Sequence, residues 1–213
     1  MTLTLGKSTL RGALILLAFA FVGTFVLAFT YQATREPIVR AEEAVKLKLL
    51  NQVLPPAIRD NDPLDDTVTL APSPLLGTDA PALAYRARRD GQVTGVALEA
   101  VAPNGYGGKI RLIVGVAPDG RVLGVRVVSH NETPGLGDFI ELGKSSWIRA
   151  FEGRQLTGNA GAWRVKKDGG SFDAVAGATI TSRAMVEAVR RALEYFAAHR
   201  DALLGANGQK PTS

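Results

Sequence analysis

The segment DAVAGATITSRAMVEAVRRALEYF, from Asp173 to Phe196, joins a turn of small residues to an amphipathic helix. Apolar residues recur in it at three- and four-residue spacing, which predicts one buried helix face made by Met185, Val186, Val189, Ala192, Leu193 and Phe196. Three hydroxyls, on Thr179, Thr181 and Ser182, stand at its start. Either Thr181 or Ser182 can serve as N-cap, so the helix is expected to begin there. That leaves Thr179 without a structural role.

The N-terminal part predicts a membrane anchor. No residue from Gly12 to Thr34 is charged, and such a run, at about 1.5 Å per residue, is long enough to cross a ~30 Å hydrocarbon layer. We therefore expect a leader at residues 1–11 and a transmembrane anchor at residues 12–34. A cleaved signal peptide is the alternative, but its apolar core is usually shorter, about 7 to 15 residues.

The charges that flank the anchor nearly cancel, since Lys7 and Arg11 precede it and Arg35 and Arg40 follow it. A short basic N-terminus before a first span commonly stays in the cytoplasm. This predicts a single-pass protein of the bacterial inner membrane, with a cytoplasmic leader and a soluble domain on the periplasmic side.

Composition restricts the classes of partner and cofactor. The net charge is +5, but the basic residues are spread among acidic ones, so no nucleic-acid binding is expected. The chain has no cysteine and its two histidines are His130 and His199, which excludes iron–sulfur clusters held by its own thiolates and a Cys/His zinc site. We predict no metal, and any redox cofactor held by this chain alone is expected to be organic.

A stalk or packing helix is predicted at residues 35–56. Thr34-Arg35-Glu36-Pro37 has the pattern of a capped helix start, and Pro55-Pro56 ends the apolar spacing that follows it. A soluble domain is expected at residues 57–200, followed by a flexible tail at 201–213.

The soluble domain is predicted to be α+β, with antiparallel β-hairpins and packed helices. Strands at 82–88 and 93–101 flank Asp90-Gly91, and strands at 110–116 and 121–129 flank Pro118-Asp119-Gly120. A short strand is expected at 67–70 and a short helix at 145–151. The glycine-rich loops PNGYGG (103–108) and HNETPGLGD (130–138) lie at strand ends, where a rigid sheet presents backbone to a ligand.

Three motifs, ETPGLGD (Glu132 to Asp138), KKDGG (Lys166 to Gly170) and DAVAGAT (Asp173 to Thr179), occur behind this anchor. Together they resemble the G subunit of the Rnf ion-translocating electron-transport complex, over essentially the whole chain. The chain is also similar, more distantly, to the C subunit of the sodium-pumping NADH:quinone reductase, which shares the FMN-binding domain. In that family a threonine in the pattern Asp-x-x-Ser/Thr-Gly-Ala-Thr carries FMN through a phosphoester bond made by a flavin transferase.

The resemblance implies that Thr179 bears covalent FMN, with Asp173, Gly177 and Ala178 as the rest of its motif. Ala176 departs from the pattern, because the family usually has Ser or Thr there. The resemblance also implies an electron-transfer role within a ferredoxin:NAD oxidoreductase complex that moves sodium ions or protons. The implied partners are the other subunits of that membrane complex and the flavin transferase, and no catalytic residue separate from the flavin is expected.

The supporting residues have alternative interpretations. Glu132, Thr133, Leu136 and Gly137 form either an ordinary turn or a flavin contact, and the motif match favours the contact. Lys166 and Lys167 are either solvated or near the flavin, and the sequence does not choose between these interpretations. Of the two, Lys166 is counted among the candidate cofactor-site residues. Tyr106 either stacks on the flavin ring or ends a hairpin, the second being favoured by sequence alone, and His130 is interpreted as a loop residue.

Two other functions are compatible with parts of the sequence. A hydrolase would use Thr179 or Thr181 as nucleophile, but the sequence shows no recognisable activating base for them. A membrane-tethered binding or assembly module without redox chemistry fits the anchor and loops alone. Visible flavin absorption would separate this module from an electron-transfer protein.

Overall fold

The computed structural model describes residues 2–156 and 160–205. Its chain divides into two compact units, Met1–Val45 and Lys46–Ser213. The last residues of the predicted tail, 206–213, lie outside the described residues.

One helix, α1, covers Thr2–Val53. Within it, Leu10–Pro37 has a mean hydropathy of 2.5 and none of that apolar window is buried. This segment contains the predicted anchor. The predicted helix start at Thr34 is wrong, because Thr34 Oγ1 donates to the carbonyl of Thr30 at 2.8 Å, one turn back in the same helix, and Pro37 lies inside the helix. The predicted end is confirmed, since the helix stops just before Pro55-Pro56.

The core of the second unit is a five-stranded antiparallel sheet in the order β1-β2-β3-β4-β5. This confirms the α+β class. The strands are β1 Thr67–Leu70, β2 Ala82–Arg89, β3 Gln92–Gly105, β4 Gly108–Val116 and β5 Val122–Ser129.

Both predicted hairpins are present. Asp90 and Gly91 have φ values of 51° and 76°, which is the twist that a two-residue hairpin turn needs. The loop predicted between the hairpins is itself a hairpin, because β3 continues to Gly105 and pairs there with Gly108. Tyr106 therefore stands at the tip of two long strands, which fixes its position relative to the sheet.

The two faces of the sheet carry separate apolar clusters. One face packs against helix α2, Thr179–Ala198, whose predicted stripe is buried as expected. The other face covers the end of α1, where Leu50, Val53 and Leu54 are fully buried. Gly115 permits this approach, since a Cβ at that position would lie 2.5 Å from the carbonyl oxygen of Val53.

Short helical elements complete the unit. The predicted helix at 145–151 is a 3₁₀ turn, Trp147–Phe151, and a further 3₁₀ turn covers Lys166–Asp168. The chain after α2 differs from the predicted tail, because helix α3, Arg200–Leu204, follows at once. Leu203 is 1% exposed and belongs to the main core, and this burial holds α3 in place.

Candidate functional site

Three segments meet at one end of the sheet and enclose a shallow cleft of about 180 Å³. They are the β3–β4 tip, the loop that follows β5, and the turn that leads into α2. The cleft is lined by Tyr106, Glu132, Thr133, Leu136, Gly137, Gly177, Ala178, Thr179, Ile180 and Thr181. Eight of the ten residues predicted for the cofactor site are therefore together, and the exceptions are Lys166 and Asp173.

The turn before α2 is shaped by Gly177, whose φ is +82°. L-residues with a side chain rarely adopt this region. A Cβ at Gly177 would also lie 2.9 Å from Cδ1 of Leu136, so the glycine lets the loop after β5 close over the turn. Gly177 thus has two independent reasons to be glycine, and both concern the shape of the cleft.

Thr179 is the first residue of α2 and is half-buried. The N-cap of the helix is Ala178, which makes no side-chain cap hydrogen bond. The first N–H groups of a helix have no acceptor within the helix and carry the positive end of its dipole. The hydroxyl of Thr179 therefore stands where an anion is favoured.

Lys167 supplies the nearest positive charge, with Nζ 3.4 Å from Oγ1 of Thr179. Its neighbour Lys166 is directed elsewhere and pairs with Asp173 at 2.6 Å, both side chains being exposed. Of the two lysines, Lys167 is therefore the one that contacts Thr179, whereas Lys166 was the candidate cofactor-site residue. A pair of adjacent lysines in sequence gives no sign of which one faces the site.

Besides its ion pair with Lys166, Asp173 makes a hydrogen bond through its backbone. Its carbonyl accepts a hydrogen bond from Nε1 of Trp147 at 2.8 Å. A second link joins this segment to α2, because Arg183 makes two hydrogen bonds of 2.7 Å to Asp168. These guanidinium hydrogen bonds are the main reason that the pKa of Asp168 is lowered. The segment that carries both lysines is thereby tied to the first turns of α2.

The expected capping role of Thr181 or Ser182 is wrong. Both residues lie inside the first turn and are fully buried. Ser182 Oγ donates to the carbonyl of Ala178 at 3.1 Å and accepts the N–H of Val175 at 3.2 Å. Thr181 Oγ1 instead donates to Oε2 of Glu132 at 2.5 Å. The helix starts at Thr179, two or three residues earlier than the cap pattern predicted, so these hydroxyls hold the turn and the loop together.

Glu132 joins all three segments of the cleft. Its side chain is 4% exposed in the folded chain, and Oε1 accepts the backbone N–H of Gly107 at 2.9 Å while Oε2 accepts the Thr181 hydroxyl. A buried carboxylate is costly unless it is hydrogen-bonded. These two bonds meet that need and fix the β3–β4 tip and α2 relative to the loop.

The rest of the loop after β5 is a compact turn. The N–H groups of Leu136 and Gly137 donate to the carbonyl of Thr133 at 3.1 and 2.8 Å. The backbone N–H of Gly135 lowers the pKa of Asp138, against the opposing effect of burial, and Lys144 lowers it further. The turn holds Leu136 at 42% exposure on the cleft rim, beside Tyr106 at 68% and Ile180 at 50%.

Two negative observations concern other chemistries. Among residues 2–156 and 160–205, no group of three or more His, Cys, Asp or Glu side chains is arranged to hold a metal ion. His130 contacts Glu141 through Nε2 at 2.8 Å. Thr181, one of the two candidate hydrolase nucleophiles, is fully buried and bonded to Glu132, so its hydroxyl is not presented to a substrate.

Both parts of the chain match known protein families. Residues 105–194 match the FMN-binding domain family and residues 1–53 match the RnfG N-terminal region. A Pseudomonas aeruginosa protein, named as the G subunit of the ion-translocating oxidoreductase complex, is 54% identical over 200 residues, 93% of each chain. Proteins with the same name from Vibrio cholerae and Shewanella loihica are 50% and 43% identical, covering 91% and 93% of this chain and 92% and 94% of their own.

The apolar helix Leu10–Pro37 and these relatives indicate a single-pass membrane protein. The matched FMN-binding domain contains every residue that lines the cleft. Because relatives with 43–54% identity span more than nine-tenths of the chain, the protein belongs to the family of G subunits of ion-translocating oxidoreductase (Rnf) complexes.

Proposed function

We propose that this chain is an electron-transfer subunit that carries FMN covalently through Thr179. The observation that carries the proposal is the position of the Thr179 hydroxyl. It lies at an uncapped helix start, on an apolar-rimmed cleft, 3.4 Å from the ammonium group of Lys167. A hydroxyl, a positive charge and free helix N–H groups are the features that a phosphoester needs around it.

The chain's own residues fit the phosphate end of FMN. Ala178 offers no side-chain acceptor to the first turn of α2, so the N–H groups there remain available to phosphate oxygens. The helix dipole favours an anion by only about 0.3 to 1 kcal/mol at an exposed site. These groups therefore orient the phosphate, and the ester bond to Thr179 retains it irrespective of affinity.

The rim of the cleft fits the ring end. Tyr106, Leu136 and Ile180 are large apolar side chains that remain exposed around it. When an aromatic ring covers such apolar surface, binding is stabilised by about 25 cal/mol for each Å² removed from water. When bound, FMN accepts electrons and passes them on, while the chain's residues hold and orient it. Glu132 maintains the shape of the cleft through its bonds to Gly107 and Thr181. We assign it this supporting role and no contact with the flavin ring.

Ala176 is exposed and lies just before Gly177. The motif usually has Ser or Thr at this position. Since Ala176 is not among the residues that line the cleft, we infer that a hydroxyl there is dispensable for holding FMN and that the rest of the motif suffices for attachment by the transferase.

Within the complex, this chain is proposed to relay electrons between ferredoxin and NAD while partner subunits move the ions. No residue from Gly12 to Thr34 is charged, and ionisable residues within a span are what mark ion pathways through membranes. The ion path and the remaining cofactors therefore belong to the other subunits. A flavin transferase is the partner required for maturation.

The soluble domain is proposed to face the periplasm, because Lys7 and Arg11 form a short basic leader before the span. Alkaline phosphatase fused after Ser213 should be active, and a fluorescent reporter that folds only in the cytoplasm should be dark. The reverse pair of activities would show that the domain is cytoplasmic.

Peptide mapping of the natively expressed protein tests the proposed attachment. Trypsin cleaves after Lys167 and Arg183, and the peptide between them contains Thr179, Thr181 and Ser182. We expect this peptide to carry the mass of FMN in ester linkage, with fragment ions that place it on Thr179. An unmodified peptide from protein made beside an active transferase would contradict the proposal.

A further inference from the structure

A chain of hydrogen bonds runs behind the cleft from a histidine that the proposed electron transfer does not use. Nε2 of His130 lies 2.8 Å from Oε1 of Glu141, and the backbone N–H of Glu132 donates to Nδ1 of His130 at 3.0 Å. The carboxylate of Glu132 then accepts from Gly107 and Thr181. The imidazole is thus linked through one residue to both other segments of the cleft.

This geometry defines the tautomer of the neutral ring. Nδ1 accepts a hydrogen bond from a backbone N–H, so it carries no proton, and the proton of the neutral ring is on Nε2, which donates to Glu141. A charged imidazole has N–H groups on both nitrogens. In that state Nδ1–H would face the N–H of Glu132, and the bond between them is lost.

We propose that His130 is a positioning residue for the cleft. Its Nδ1 holds the backbone of Glu132 where the carboxylate reaches both Gly107 and Thr181. Loss of this acceptor releases that backbone and loosens the β3–β4 tip with Tyr106. The consequence for FMN rests on the proposed function, but the hydrogen-bond chain itself lies within the protein.

Glu141 is the charged group that contacts the ring directly. Its side chain is 45% exposed, and it meets Nε2 of His130. Asp138 on the same loop faces Lys144 at 3.7 Å. Arg111 on β4 is paired opposite Ser129, the residue before His130, and Lys109 lies at the start of the same strand. Because Nε2 is taken up by Glu141, the atom that positions Glu132 is Nδ1.

The amide of Gly107 reports directly on the Glu132 carboxylate. Tyr106-Gly107 is the single Tyr-Gly pair in the sequence, so a full-length chain in lipid nanodiscs, labelled with [¹³C-carbonyl]Tyr and [¹⁵N]Gly, gives one correlated signal for it. Separate [¹⁵N]His labelling reports on His130. We expect the Nε2–H tautomer for His130 and, for Gly107, an amide proton shifted downfield by its hydrogen bond to the Glu132 carboxylate.

Three variants separate positioning from general structure. In His130→Asn, the side-chain oxygen replaces Nδ1 as acceptor, so the Gly107 signal should stay at its wild-type position. In His130→Leu the acceptor is lost, so the signal should move upfield. His199→Asn is the matched control and should keep the wild-type position.

The flavin provides a second readout. The absorption spectrum of the FMN-loaded chain should change in His130→Leu and match that of the wild type in His130→Asn. The Gly107 measurement is repeated on Thr179→Ala, which reads the hydrogen-bond chain without covalent FMN. A missing flavin therefore bears on the proposed function alone. A Gly107 signal that stays at its wild-type position in His130→Leu, or that moves equally in His130→Asn and His130→Leu, overturns the positioning role.

Discussion

Oγ1 of Thr181 lies 2.5 Å from Oε2 of Glu132, so the second threonine of the ATITS segment is bonded to the loop that follows β5. Thr179, two residues earlier, faces the cleft beside Lys167. The two threonines therefore have different surroundings although they are close in sequence. Thr181 holds two segments of the cleft together, whereas the hydroxyl of Thr179 lies in the cleft.

Replacing Thr181 by Val tests the structural role. The change keeps the shape of the side chain but leaves a buried carboxylate oxygen without its donor, which costs about 1 to 3 kcal/mol of unfolding free energy. Thermal unfolding of the soluble part, followed by circular dichroism, should show a lower midpoint. Thr69→Val, at an exposed site on β1, is the control and should leave the midpoint nearly unchanged. Equal midpoints for the two variants would show that the Glu132 bond contributes little.

Gly177→Ala should lower stability for two separable reasons. A φ of +82° costs a residue with a Cβ about 1 to 2 kcal/mol, and the new Cβ lies 2.9 Å from Leu136 Cδ1. Gly153→Ala is the matched control, since its φ is +77° but no heavy atom lies within 4 Å of the added Cβ. We expect the larger loss of stability, and a lower yield of covalent flavin, from Gly177→Ala.

The excess in Gly177→Ala should disappear in a Leu136→Ala background. Removing the Leu136 side chain relieves the contact but leaves the φ strain unchanged, so the double-mutant cycle isolates the contact. An excess that persists in the double variant would mean that the loop after β5 does not pack on the turn.

Lys167→Met should slow attachment of FMN by the transferase by about two- to fivefold, the range expected for one solvent-exposed charge pair. Lys166→Met is the control, because Lys166 pairs with Asp173 and does not reach Thr179. Added salt should reduce the difference between the wild type and Lys167→Met, since exposed charges are screened. A larger effect from Lys166→Met than from Lys167→Met would reverse the assignment of the two lysines.

The sequence predicted the parts of the fold that depend on local pattern. The spacing of Met185, Val189 and Leu193 predicts the buried face of α2, and Asp90-Gly91 predicts the first hairpin with its turn. The motif resemblance also predicted that DAVAGAT and ETPGLGD belong to one site, and residues of both segments line the cleft.

Contacts between distant residues were not predictable in this way. Thr181 was expected to cap its own helix, because local capping is the usual use of a hydroxyl at that position. Its partner, Glu132, is 49 residues away, and nothing in either segment specifies the pairing. Likewise, Leu203 follows a helix end and resembles a tail residue, and its burial depends on where α3 returns to the core.

The most direct test of the central claim is in-gel flavin fluorescence of the denatured protein, made beside an active transferase, for the wild type and three variants. Fluorescence should be present in the wild type, in Thr179→Ser and in Thr181→Val. It should be absent in Thr179→Ala, whose unfolding midpoint stays close to that of the wild type. Fluorescence that survives in Thr179→Ala and vanishes in Thr181→Val would contradict attachment of FMN at Thr179.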